Sequence, residues 1–181
     1  MGVGSSGEGI SGRLVLLLHY LAALKPLKSA WTLEMCDLTT SVHDLAYRSK
    51  ITKLEEEVGK LPQAILPVTH YQTDNGLYGR ALFIPRGCVL TGKIHKHSHI
   101  STLIEGELSI MTERGVERIT APFVLVSQPG VKRAAYAHKD SIWLTVHKTE
   151  NTEIDKIEEE LVTNSYEEYL SYVATLRLGK D

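Results

Sequence analysis

The chain has 181 residues, 43% of them apolar, and its 20 basic and 22 acidic side chains leave a net charge near −2. That length and apolar share suit one domain of ordinary size with a normal core. The near-neutral balance, with no basic run, gives no electrostatic ground for a nucleic-acid partner or an anionic membrane, and the two cysteines, Cys36 and Cys88, fit neither a disulfide framework nor a cysteine zinc motif, so a reducing, cytoplasmic setting is expected.

Residues 1–12 are rich in Gly and Ser and carry no packing pattern, and 1–40 as a whole reads as a poorly ordered N-terminal extension. Within it, Leu14 to Leu24 is the longest apolar stretch, too short for the ~20 residues a membrane helix needs. With no small-x-small site after it and Lys25 and Lys28 following at once, it reads as a docking helix or an extension rather than an export signal. Met35 is an internal methionine just ahead of more regular sequence. Residues 41–62 predict an amphipathic helix. Ser41-Val42-His43-Asp44 resembles a capping box, and Tyr47, Ile51, Leu54, Val58 and Leu61 follow at spacings of 4, 3, 4 and 3, with an end near Gly59 before Pro62. This stripe packs on its own domain or meets a second subunit, and a homo-oligomer is expected.

Residues 63–150 predict a barrel. Strands are expected over 77–84, 88–95, 99–105, 107–112, 116–121, 123–127, 132–137 and 142–147, parted by turn signals such as Pro85-Arg86-Gly87, Gly106, Arg114-Gly115, Pro129-Gly130 and Lys139-Asp140. Short strands at this interval point to a mainly β, antiparallel sandwich or barrel. Residues 151–181 predict two acidic helices, about 153–161 and 166–176, packed on the barrel's outside.

Three of the eight histidines, His95, His97 and His99, fall within five residues, and neutral imidazole is a common ligand of transition metals. In one straight strand His95 and His99 would stand about 13 Å apart, too far to share an ion. They can share one only if the chain reverses at Lys96-His97-Ser98 and places them on neighbouring strands facing one interior, with His97 near the turn.

The stretch from 77 to 149 resembles the cupin family. Its first motif, G-x5-H-x-H-x3-4-E-x6-G, lies over the chain with Gly106 as the last glycine, Lys93 at the first His position, His95 at the second and His99 at the Glu position. The second motif, G-x5-P-x-G-x2-H-x3-N, is approximated by Gln128 to Ala137, with Arg133 at the His position and Ala137 at the Asn position. Residues 54–165 also resemble short cupin-like proteins of tailed bacteriophages, through Leu77-Tyr78-Gly79-Arg80, Phe83-Ile84-Pro85 and Leu90 to His95; a host cytoplasm would then be the setting. The resemblance implies a jelly-roll barrel (a double-stranded β-helix) flanked by N- and C-terminal helices, a divalent Fe, Mn, Ni or Zn cofactor, and a small-molecule ligand.

Lys93 and Arg133 put cations where two ligands belong, which disfavours a metal. His147 can repair the set, because Trp143, Thr145 and His147 share one face of the last strand; His138, just before a turn, suits the role less well. The metal set is therefore His95, His99 and His147, with His97 as substitute. Arg133, with its planar fork, is the candidate for an anionic ligand, supported by Lys93, Tyr136 and Arg80. His19, His43 and His70 lie outside the barrel and are assigned no role. Three functions compete: a metal-dependent oxygenase or isomerase, a non-catalytic ligand-binding or assembly module, and a virus-encoded regulatory protein that uses the barrel as a scaffold.

Overall fold

In the segment His99–Glu105 every second side chain turns inward: His99, Ser101 and Leu103 are buried, while Ile100 and Ile104 face out. The same period of two runs through most of the barrel, and it is the reason one interior forms. The computed structural model describes residues 14–16, 38–112 and 114–178. The expectations for residues 1–12, for Leu17 to Leu24, for Met35 and for most of the 1–40 extension lie outside the described residues.

Two antiparallel sheets make the barrel wall. The six-stranded one runs β2 (Gln63–Ala64), β1 (Leu14–Leu16), β5 (Cys88–Thr91), β11 (Ala134–Ala137), β8 (Glu107–Thr112) and β9 (Gly115–Thr120). The five-stranded one runs β10 (Phe123–Ser127), β7 (His99–Glu105), β12 (Ser141–Lys148), β4 (Leu77–Ile84) and β3 (Val68–Gln72). A short pair, β6 (Ile94–His95) with β13 (Val162–Thr163), sits apart. Eight of these strands, β4, β5 and β7 to β12, carry the topology. The first, eighth, third and sixth of them are neighbours in one sheet, and the second, seventh, fourth and fifth in the other. That order is a jelly roll, the cupin-type architecture.

The core fills the barrel end away from the histidines, where Leu82, Ile84, Leu103, Leu108, Ile110 and Ala137 pack together. Helix α1 (Leu38–Gly59) begins three residues ahead of Ser41, so Ser41 lies within the helix and does not cap it. The apolar stripe of α1 lies on the outer face of the six-stranded sheet: Tyr47 and Ile51 against Ala134 and Met111, and Leu54, Val58 and Leu61 against Val89 and Tyr136. The Tyr47 hydroxyl donates to the Lys132 carbonyl at 2.6 Å, and the buried Lys132 ammonium meets Glu55 at 2.6 Å. The stripe is spent on its own barrel and is not free for a second subunit.

Helix α2 (Ile154–Leu161) departs from expectation. It crosses the barrel mouth instead of its outer wall, and Ile157 and Leu161 pack on Tyr78 at the cavity's edge. Helix α3 (Tyr166–Leu178) buries no residue fully. No described helix is long and apolar enough to cross a membrane.

Gly106, between β7 and β8, has φ +94°, and a Cβ there would overlap Ser141 Oγ and the Asp140 carbonyl, with Ser141 Cα only 2.6 Å away. Both the backbone angle and the space require glycine. Gly106→Ala should lower stability by about 2 kcal/mol or more, read as a fall in the urea midpoint at constant m-value.

Candidate metal centre

The register of the five-stranded sheet lays its inner residues in rows. Nearest the mouth, His99 lies opposite Ser127, and His147 lies opposite Tyr78. The next row is Ser101, Thr145 and Arg80, and the third is Leu103, Trp143 and Leu82. Polarity therefore falls with depth, from imidazole through hydroxyl and guanidinium to hydrocarbon.

His95 reaches the same mouth from outside this sheet. After β5 the Gly92 N–H donates to the Arg133 carbonyl at 2.8 Å, and beyond it the Gly130 N–H donates to the His95 carbonyl and the Lys96 N–H to the Leu161 carbonyl, each at 2.8 Å. The chain then bends through 96–98 into β7. The expected reversal is present, but β6 pairs with β13, His95 opposite Val162, and not with β7. The crossover carries His95 over the mouth because the C-terminal segment supplies its hydrogen-bonding partner.

His95, His99 and His147 each offer a ring nitrogen within 4.8 Å of the others. Their ring centroids lie 3.9 Å (His95–His99), 4.4 Å (His99–His147) and 5.0 Å (His95–His147) apart. His99 and His147 are buried, and the accessible edge of His95 faces the cavity. Burial is the first cause that lowers the pKa of all three. It holds His147 at about 3, aided by His99 and His97, and His95 well below the usual histidine range, aided by its two ring neighbours and by Arg80 and Arg133. His99 is lowered by burial, partly opposed by its hydrogen bond to His97. All three are neutral at pH 7, the form that binds a metal. His99 Nδ1–H donates to the His97 carbonyl at 3.3 Å, leaving Nε2 with its lone pair. Nδ1 of His95 and Nδ1 of His147 are buried without a hydrogen-bonding partner. Buried polar atoms of this kind are rarely left so.

The cavity below holds about 160 Å³. Arg80 and Arg133 line it, and Nε of each is buried without a partner. Arg133 Nη1 donates to Ser127 Oγ at 2.9 Å, and Ser127 Oγ lies 3.1 Å from Ser101 Oγ. Among the described residues neither arginine forms an ion pair. Lys93 does: its ammonium meets Glu158 of α2 at 2.9 Å, so one of the two expected cations is neutralised within the protein.

Two expected site residues lie elsewhere. Tyr136 faces out beneath α1 and stacks edge-on with His138; alternation along β11 cannot point both Arg133 and Tyr136 into one cavity. The His97 ring is exposed, at 6.0 Å edge-on to Tyr172, and only its carbonyl serves the site, through His99. His138 bonds Ser109 Oγ at 2.7 Å, away from the cavity. His70 is a β3 residue with a partner after all. The Tyr78 phenol, kept protonated up to about 12 chiefly by burial, shares a 2.7 Å hydrogen bond with His70 Nδ1.

No protein-family model and no curated protein matches the sequence. Among solved structures, the chain is similar to an RmlC-like cupin from Shewanella frigidimarina (19% identity, TM-score 0.40, covering 46% of this chain and 75% of that one). It is also similar to KdgF from a Halomonas species (16%, 0.40, 50% and 84%) and to an acetylacetone dioxygenase from Acinetobacter johnsonii (15%, 0.38, 46% and 58%). At such TM-scores these likenesses say nothing about this chain's chemistry; the jelly-roll assignment rests on strand order. None of the three bears on the expected kinship with bacteriophage proteins.

Proposed function

We propose that this chain binds one divalent transition metal through His95, His99 and His147 and a small anion beside it. The observation that carries the reading is the convergence of three neutral imidazoles, two of them with a buried and unpartnered nitrogen, on one point of a closed barrel. An all-nitrogen set suits Zn, Ni or Fe better than Mg or Ca. Three protein ligands leave positions open, and a metal held so supplies Lewis acidity to whatever occupies them. The donor set carries no carboxylate, and two guanidiniums stand near, so the bound ion needs negative charge from elsewhere. Arg80 and Arg133 would hold that charge, the guanidinium fork donating to a carboxylate. At ~30 Å³ per water, the cavity has room for about five waters, hence for a small acid and not a sugar chain. Oxygenase or isomerase chemistry on such an acid is the enzymatic form of this reading.

Cobalt(II) titration of the full chain, followed by its visible absorption, tests it. We expect one ion per chain, and none in His99→Ala. Formate, one carboxylate too small to chelate, should raise the cobalt affinity about 10-fold, a coupling of ~1.4 kcal/mol, and Arg133→Met should abolish that gain. A wild-type chain that takes up no stoichiometric cobalt, zinc, nickel, iron or manganese ends the metal reading. The two guanidiniums, neither in an ion pair among the described residues, favour a second reading, a non-catalytic anion-binding module, and formate bound equally well without metal would select it.

A further inference from the structure

We propose that the outer face of the five-stranded sheet is the contact between two copies of this chain. Its register gives two uncharged, mainly apolar rows: Val126, Ile100, Val146, Gly79 and Tyr71, then Val124, Thr102, Leu144, Ala81 and Thr69. Ile104 and the Phe83–Ile142 pair continue the face toward the far end. Between Lys148 at one rim and Glu105 at the other, this face carries no charged residue. Val124 and Val126 are 62% and 63% exposed, Tyr71 55%, and Ile100 and Ile104 about half. From these exposures the side chains present on the order of 600 Å² of mainly apolar surface. That is at the upper end of the ~300–600 Å² largest patch of an ordinary monomer, and close to the ~800 Å² each partner gives up in a stable dimer.

The barrel treats its two walls differently. The outside of the six-stranded sheet is covered by α1, whose apolar stripe is fully engaged there. The outside of the five-stranded sheet has no helix packed on it among the described residues. Both described elements that bound residues 17–37, β1 and α1, belong to the other wall. An uncharged face offers nothing to a charged partner, but it is complementary to itself. Two twisted sheets pack face to face ~10 Å apart with their strands near −30°, and a two-fold axis brings the same patch to both sides.

The test is sedimentation of the full chain between 1 and 100 µM. We expect twice the monomer mass for the wild type, and the monomer mass, with dissociation at least 100-fold easier, for the double variant Val124→Lys/Val126→Lys. Both positions are solvent-exposed on an edge strand, so circular dichroism and cobalt uptake should not change. A wild-type monomer at 100 µM overturns the proposal, whether the face is bare or covered by residues 17–37 of its own chain. So does a dimer that the two lysines leave intact. Should the variant not fold, hydroxyl-radical labelling of Tyr71 in the wild type decides: labelling that falls as concentration rises supports the interface, and labelling independent of concentration overturns it.

Discussion

Saturating zinc should raise the melting temperature of the purified chain by roughly 10 °C, and His147→Ala should remove the rise. The magnitude follows from linkage. An ion that binds only the folded state stabilises it by RT ln(1 + [L]/Kd), about 4 kcal/mol at a thousandfold excess over Kd, and ~1 kcal/mol moves the midpoint of a domain this size by about 2–4 °C. The unfolded chain competes poorly, because His147 comes to the other two rings only through the strand pairing of β12 with β7 and β4. Removing His147 leaves two ligands across a widened cavity, with His95 held by the crossover and His99 by the His97 carbonyl. The metal-free variant should melt within a few degrees of the metal-free wild type, since it loses a buried ring whose Nδ1 had no partner. Arg133→Met should keep the zinc-induced rise, because Arg133 lies beside the three-histidine set and not in it. Differential scanning calorimetry with and without zinc reads all three. An equal rise in His147→Ala would mean that zinc binds somewhere else.

How much of this was legible in the sequence depends on how local each cause is. The strands at 77–84, 99–105, 107–112 and 123–127 match the observed bounds, because alternation and glycine punctuation act within a few residues. Strand β3 was missed, since four of its five side chains are exposed and it shows no alternation. The pair β6–β13 was out of reach: two-residue strands carry no period, and their partners stand 67 residues apart, at 95 and 162. The same distance problem hid Glu158 as the partner of Lys93 and hid α2 as the cover of the mouth. His95, His99 and His147 could be brought together because strand parity and the bend at 96–98 both follow from spacing. Tyr136 was a misreading that parity alone corrects. Arg133 and Ala135 share one face of that strand, and Tyr136 stands on the other with Ala134, under the helix.

The burial that keeps the three rings neutral should also make the metal-free protein acid-sensitive. With a chelator present, its stability should be complete above pH ~6.5 and fall steadily as the pH drops toward 3. In the unfolded chain each histidine takes up a proton near 6.5. In the folded chain burial holds His147 neutral down to about 3, and His95 and His99 are lowered in the same direction. Through that window the unfolded state binds more protons than the folded one, so His147 alone tilts stability by ~1.4 kcal/mol per pH unit, and His95 and His99 add to the slope in the same direction. Zinc should move the acid midpoint downward, because protonation must then displace the ion. Near pH 6.5 an ordinary three-histidine site would release one to two protons on binding metal, whereas rings kept neutral by burial should release fewer. Proton release measured by calorimetry in buffers of differing ionisation enthalpy checks that value, and urea midpoints from pH 7 to 4 check the slope. A metal-free chain equally stable at pH 7 and pH 4.5 would mean that the rings open to water and protonate freely, and that the site is not pre-built for an ion.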